Sequence, residues 1–308
     1  MLQLNDLAKN FGGLRAVDGV SLKVSAGETY GLLGPNGAGK TTTISMISGL
    51  LRPDQGSVVV DGQDFWGNPA RSQRLMGVVP QEVALYDELS GLDNLCFWGR
   101  LAGLARTEVK PRAAEVLEAL SLADRSREPV RNYSGGMKRR INIGCALMHR
   151  PKLLLLDEPT VGIDPQARQN ILDFIRRLAR DGTAILYTTH YLEEAETLCD
   201  RVGIIDNGRL LAEGTLAELQ ARVSRTALFL IEGRFADARP EEWPAFSERF
   251  TLIQHTPRQW LVAAREDRDP ADCLRDLLEL PVRPDNVTLK RPSLNDVFLQ
   301  LTGRELRE

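Results

Sequence analysis

The sequence predicts an α/β fold followed by a small α+β domain. Three observations carry this. From Met1 to about Val223, short apolar runs alternate with helical stretches and glycine-rich turns. The stretch GPNGAGKTT, Gly34 to Thr42, stands between the apolar run YGLL and the helical run TISMISGLL. Beyond Val223 the order changes to strand, strand, helix, strand, helix. The expected boundaries are 1–222 for the first domain, with a helical subdomain at about 87–150, and 223–308 for the second.

Each element has a local reason. SLKVS alternates polar and apolar residues, so Leu22 and Val24 share one face of a half-buried strand. YGLLG, VVVDG, MGVVP, KLLLLDEP, AILYTTH and VGIID also read as strands. Several are apolar throughout, as strands covered on both faces by helices are. Asp87 to Asp124, with VKPRAAEVLEALSLAD, is mostly helical and interrupts the strand rhythm. Asn207-Gly208 between VGIID and RLLAEG is a two-residue hairpin signal. In the second domain TALFLIEG, QWLVAAR and VTLKRP read as strands, and PADCLRDLLEL and SLNDVFLQLTG as helices. ARPEEWPAF is expected to be loop.

Composition excludes several classes. The 308 residues are 43% hydrophobic and 26% charged, ordinary for a globular protein. A net charge of −3 creates no field that would draw nucleic acid, and in the second domain acidic residues slightly outnumber basic ones. Cys96, Cys145, Cys199 and Cys273 form no CxxC pair, which fits a reduced, cytosolic setting without a disulfide framework or zinc site. The apolar run Leu153 to Leu156 stops at Asp157, far short of the ~20 residues a spanning helix needs. MLQLNDLAKNF lacks the residue order of a secretory signal. Any membrane-embedded part is expected in another chain.

GPNGAGKT satisfies G-x-x-x-x-G-K-[ST] with a strand before and a helix after. Gly34, Gly37 and Gly39 permit backbone turns that side chains would block. In the loop that also contains Pro35, Asn36 and Ala38, the N–H groups of the residues other than proline converge on phosphate at a helix start, whose dipole favours negative charge. Lys40 is placed to reach the β and γ phosphates and Thr41 to hold magnesium, with Thr42 in the next turn. LLLLDEP delivers Asp157 and Glu158 to a strand's carboxyl end, where open α/β sheets bind ligands. Asp157 suits magnesium, through water; Glu158 is free to polarise an attacking water. Ser134-Gly135-Gly136 opens a further helix, on which Met137, Ile141, Gly144 or Cys145, and Met148 recur at helical spacing. A hydroxyl and bare N–H groups at a helix start form either a second anion site or a simple cap.

GPNGAGKTT, YSGG, LLLLDEP and His190, in that order, resemble the ATP-binding cassette (ABC) family over about residues 1–220. The resemblance implies a P-loop ATPase with a mixed sheet core, an antiparallel β subdomain and a helical subdomain. It implies ATP and Mg2+ as cofactors and a head-to-tail dimer, with each ATP between the P-loop of one copy and Ser134-Gly135-Gly136 of the other. Residue by residue, Phe11 matches the adenine-stacking aromatic and Gln81 the glutamine that touches magnesium and the attacking water. Asp164 matches the loop linking the two sites, and His190 the γ-phosphate contact. Tyr133 and Met137 depart from the family's usual LSGGQ, which alters the flanks of the capping element and not its chemistry.

Within the family, YSGGMKRR and the tail PSLNDVFLQLTGRE are similar to drug-resistance-type exporter ATPases and to relatives exporting lipid-linked or oligosaccharide molecules. That likeness implies a separate permease, two ATPase copies and attachment to the cytoplasmic face of a bacterial membrane. It implies that Leu85, Tyr86 and Leu89 help to receive a permease helix. The competing readings are a soluble cassette protein acting on ribosomes or nucleic acid, and a P-loop kinase. The first commonly carries two cassettes or a long coiled-coil insertion, absent here; the second has no use for the Ser134 element.

Overall fold

The computed structural model describes residues 1–223, 227–235, 239–240, 243–265, 268–290 and 293–303. Thr226, Ala238, Glu241, Glu242, Arg291, Pro292, Arg304 and Glu305, which belong to stretches given expectations above, lie outside the described residues. The chain divides into two compact units, one spanning Met1–Glu213 and one beginning at Gly214.

The first unit contains two sheets. Strands β1 (Leu2–Phe11), β2 (Leu14–Val24), β4 (Gln55–Val60) and β5 (Gln63–Asp64) form an antiparallel sheet in the order β2-β1-β4-β5. In β2, Leu22 and Val24 are buried together, as the alternation in SLKVS predicts. The second sheet has the order β10-β9-β3-β8-β7-β6. Its strands are β3 (Thr29–Leu33), β6 (Met76–Val79), β7 (Leu153–Asp157), β8 (Ala184–Thr189), β9 (Arg201–Asp206) and β10 (Arg209–Gly214). From β6 to β9 every pairing is parallel. Asn207 and Gly208 both take positive φ, 46° and 77°, and close the β9–β10 hairpin.

Helices α1 (Lys40–Ile47), α2 (Pro69–Arg74), α3 (Gly91–Leu101), α4 (Arg106–Ala119), α5 (Gly135–Leu147), α6 (Pro165–Arg180) and α7 (Leu192–Leu198) complete this unit. Side chains of a strand alternate between faces, so β7 serves two cores at once. Leu153 and Leu155 join Leu32, Ile44 and the antiparallel sheet. Leu154 and Leu156 join Val116, Ile141 and Ile175 of the helical side. A strand covered on both faces has no use for polar residues, which is why LLLL can be apolar throughout. Ile141 on α5 and Met148 at its C-cap are fully buried, and Met137 packs partly against the same core, matching the helical spacing.

The second unit contains α8 (Leu216–Val223), β11 (Leu228–Gly233), α9 (Pro244–Ser247), β12 (Phe250–Thr256), β13 (Gln259–Ala264), α10 (Pro270–Leu278), β14 (Pro284–Lys290) and α11 (Leu294–Thr302). Its sheet order is β12-β13-β11-β14, antiparallel throughout. A βαββαβ chain order with the first and third strands central is the split-βαβ, ferredoxin-like arrangement. Trp260 is fully buried among Phe235, Phe246 and Val262. Two expectations change here. The end of ARPEEWPAF, from Pro244, enters the short helix Pro244–Ser247, because Pro suits the first helical turn and buried Phe246 anchors it. FTLIQHT, for which no strand was expected, is the edge strand β12; pairing with β13 stabilises a stretch with weak alternation of its own.

Leu155→Ala should destabilise the first unit by ~2–5 kcal/mol, the range for deleting a fully buried leucine. A urea midpoint by circular dichroism indistinguishable from that of the parent would contradict the two-sided burial of β7.

Candidate functional site

Strand β3 ends at Leu33 and the chain turns through Gly34–Gly39 into α1. Gly34 has no room for a side chain: an added Cβ would lie 2.2 Å from the Ile205 carbonyl oxygen. Gly39 takes φ 103°, and its Cβ would meet the Ala16 carbonyl at 2.6 Å. The loop borders a cavity of about 570 Å³ lined by Phe11, Pro35, Asn36, Gly37, Lys40, Thr41, Thr42, Gln81 and Glu158 among others. Phe11 ends β1 and is 46% exposed at this cavity, so its ring is no core residue. Ala38 is buried; its carbonyl accepts from Gly208 N at 3.0 Å.

The parallel strand ends converge here. Asp157 closes β7 and Glu158 follows it; Thr188 lies opposite on β8. Thr188 Oγ1 donates to Asp157 Oδ1 at 2.6 Å, and Glu158 N donates to Thr188 Oγ1 at 3.0 Å. Glu158 is 5% exposed and sits at φ 43°. Lys40 Nζ is 2.9 Å from Glu158 Oε1 and also donates to the carbonyls of Gly34 and Pro35. Gln81, just after β6, donates to Glu158 Oε2 at 3.4 Å. His190, just after β8, places Nδ1 3.1 Å from Glu158 Oε2, an ion-pair distance without hydrogen-bond alignment.

Ser134, Gly135, Gly136 and Asp164 do not line the cavity. Ser134 caps α5, accepting from Met137 N at 3.3 Å, and Asp164 caps α6, accepting from Ala167 N at 2.9 Å. Both are exposed, and the two helix starts lie side by side: a Cβ on Gly136 would meet Ala167 Cβ at 2.6 Å.

The linearmycin resistance ATP-binding protein LnrL of Bacillus subtilis is 42% identical to this chain, over 100% of each. This chain belongs to the ABC transporter family. The family model described as ABC transporter matches residues 17–161. The daunorubicin resistance ATP-binding protein DrrA3 of Streptomyces coeruleorubidus is 41% identical over 97% of this chain and 95% of its own. The dimeric post-hydrolysis structure of the ATP-binding cassette MJ0796 bound to ADP and Pi superposes with a TM-score of 0.63. It is 26% identical and covers 70% of this chain and 99% of its own. The chain is thus an ATP-binding, ATP-hydrolysing subunit of an ABC transporter with the P-loop ATPase fold. Among the described residues no helix is long and apolar enough to cross a membrane.

The electrostatics of the ABC subunit's cavity centre on Glu158. Burial pushes its carboxyl up; the Lys40 ammonium and His190 outweigh that and hold it below the ordinary carboxylate range. Several contributors carry no sequence signal of their own. Arg139 of α5 donates to carbonyls behind the site, and Glu194 of α7 accepts from Thr160, Tyr187 and Thr189. Asn207-Gly208 is readable as a hairpin, yet only the fold shows that it lines the cavity and braces the P-loop.

A carboxyl whose folded-state value is lowered stabilises fully above its unfolded value, and that stabilisation is lost as pH falls through the folded value. The nucleotide-free parent should therefore exceed Glu158→Gln in thermal midpoint at neutral pH, and the gap should shrink on acidification through the carboxylate range. A gap constant with pH would show that ionised Glu158 does not hold Lys40.

Proposed function

We propose that this subunit powers export of drug-like molecules by closing on ATP with a second copy of itself and opening after hydrolysis. The observation that carries this reading is the separation of Ser134 and Asp164 from their own P-loop cavity. They cap neighbouring helices on an exposed face. A hydroxyl and bare N–H groups at a helix start attract an anion, and the second copy's triphosphate supplies one. The dimeric MJ0796 structure and the resistance functions of LnrL and DrrA3 support the dimer and the cargo class respectively.

In this reading Lys40 and the N–H groups of Asn36–Gly39 hold the phosphates, and Phe11 stacks on adenine. Glu158 polarises the attacking water, His190 contacts the γ-phosphate, and Asp164 links the two sites. Mg2+ fits the donor set. Among the described residues no three His, Cys, Asp or Glu gather as a metal cage. Magnesium bound to nucleotide needs only one or two protein oxygens besides the phosphates, and Thr41, Gln81 and Asp157 offer hard oxygens of that kind. The ion would neutralise phosphate charge.

The membrane path belongs to a separate permease, which holds the subunit at the cytoplasmic face. An apolar groove of about 650 Å³, bordered by Leu50, Val78, Ala84, Trp98 and Leu101, suits a cytoplasmic permease helix. Leu85 packs on the core beside it, and exposed Tyr86 meets Phe97 edge-on at 4.8 Å.

Glu158→Gln should bind ATP and form a long-lived dimer while turnover falls on the order of 10²–10⁴-fold. Adding Ser134→Arg should abolish that dimer and leave nucleotide binding by the single chain intact. Sedimentation with and without ATP reads both. ATP-driven dimerisation that survives Ser134→Arg would remove the shared site.

A further inference from the structure

Arg139 stands on α5, five positions after Ser134, and is 2% exposed. A guanidinium carries five N–H donors in a fixed fork. Here all five have acceptors, and every acceptor is a main-chain carbonyl. Nε donates to Pro159 at 2.5 Å. One terminal nitrogen donates to Pro80 at 2.7 Å and Gln81 at 3.0 Å. The other donates to Asp157 at 3.1 Å and Glu158 at 3.0 Å. Three segments distant in sequence meet on one side chain: the helix capped by Ser134, the Gln81 turn after β6, and the Asp157–Pro159 end of β7.

Among the described residues no carboxylate forms an ion pair with this guanidinium, and the Asp157 charge acts on it without a side-chain contact. Burial draws the guanidinium down to about 10, so it stays protonated at neutral pH. An apolar residue of similar volume would fill the space without leaving a cation to be solvated by carbonyls. What an apolar residue cannot do is hold the Gln81 and Glu158 backbones at a set separation. The neighbouring Arg140 reaches the Leu120 carbonyl and no part of the cavity. The link is therefore particular to Arg139.

We propose that Arg139 is a positioning residue that couples the two nucleotide sites through one chain. Engagement of Ser134 by the second copy's nucleotide shifts the start of α5, and Arg139 transmits that shift to Gln81 and Glu158 at the chain's own site. The proposal rests on the shared-site reading above. It adds that hydrolysis in one site depends on occupancy of the other through the main-chain carbonyls that Arg139 gathers.

The test uses the full-length chain carrying Arg139→Lys, which keeps the charge but has three donors and no fork. ATP affinity of the single chain should stay within about twofold, since Arg139 does not border the cavity. In a Glu158→Gln background the ATP-driven dimer should still form. The kcat should fall on the order of 10²-fold, the scale of an ångström-level misplacement, and the Hill coefficient for ATP should drop toward one. Arg140→Lys should change neither. If Arg139→Lys does not fold, Arg139→Gln is read in the same way. Parental kcat and Hill coefficient overturn the proposal, and so does loss of ATP binding together with turnover, which marks a merely structural residue. Failure of Glu158→Gln alone to dimerise with ATP is a different result: it sinks the shared-site reading and the proposal with it.

Discussion

The buried carboxylate of Glu158 is the point on which this molecule is organised. Lys40, His190 and Gln81 reach it from three different strand or loop ends. They can do so because β6, β7, β8 and β3 run parallel, so their carboxyl ends open at one edge of the sheet. Thr188 holds Asp157 at the end of β7 and Glu158 just after it from the neighbouring strand. A left-handed backbone at a non-glycine residue is uncommon, and Glu158 adopts it where the chain leaves the sheet. Such conformations persist where the surroundings over-determine them, here through hydrogen bonds on both sides of the peptide.

The same ion pair bears directly on the proposed nucleotide chemistry. In the free chain Lys40 is satisfied by Glu158 and by the carbonyls of Gly34 and Pro35. Under the proposed function, a phosphate that recruits Lys40 would release Glu158 from this ion pair, linking binding to preparation of the carboxylate for proton chemistry through one contact. Because both groups are almost wholly buried, solvent screens the exchange little.

The second unit follows a different packing logic. Its sheet is antiparallel throughout, and its centre is an aromatic cluster about Trp260 stacked on Phe235 at 4.1 Å. Helix α11 begins with a capping box between Ser293 and Asp296 and ends at Gly303 in the left-handed region. These are features of a stable module. Among the cavities described above, none is lined by its residues.

Local signals sufficed for much of this protein. The alternation in SLKVS, the uninterrupted leucines of β7, the Asn207-Gly208 turn and the P-loop glycines each leave a pattern that is complete within a few residues of sequence. Sequence alone therefore specified the α/β architecture, the phosphate loop and the family to which the chain is related. It did not reveal strand β12, whose stability comes from its partner, nor the short helix at Pro244, which depends on the burial of Phe246. Tertiary structure alone decided that Glu158 pairs with Lys40, that Asn207-Gly208 braces the phosphate loop, and that Arg139 gathers five carbonyls. Those contacts join residues far apart along the chain, and a carbonyl acceptor is present at every residue, so no side-chain pattern can announce which ones a buried guanidinium will find.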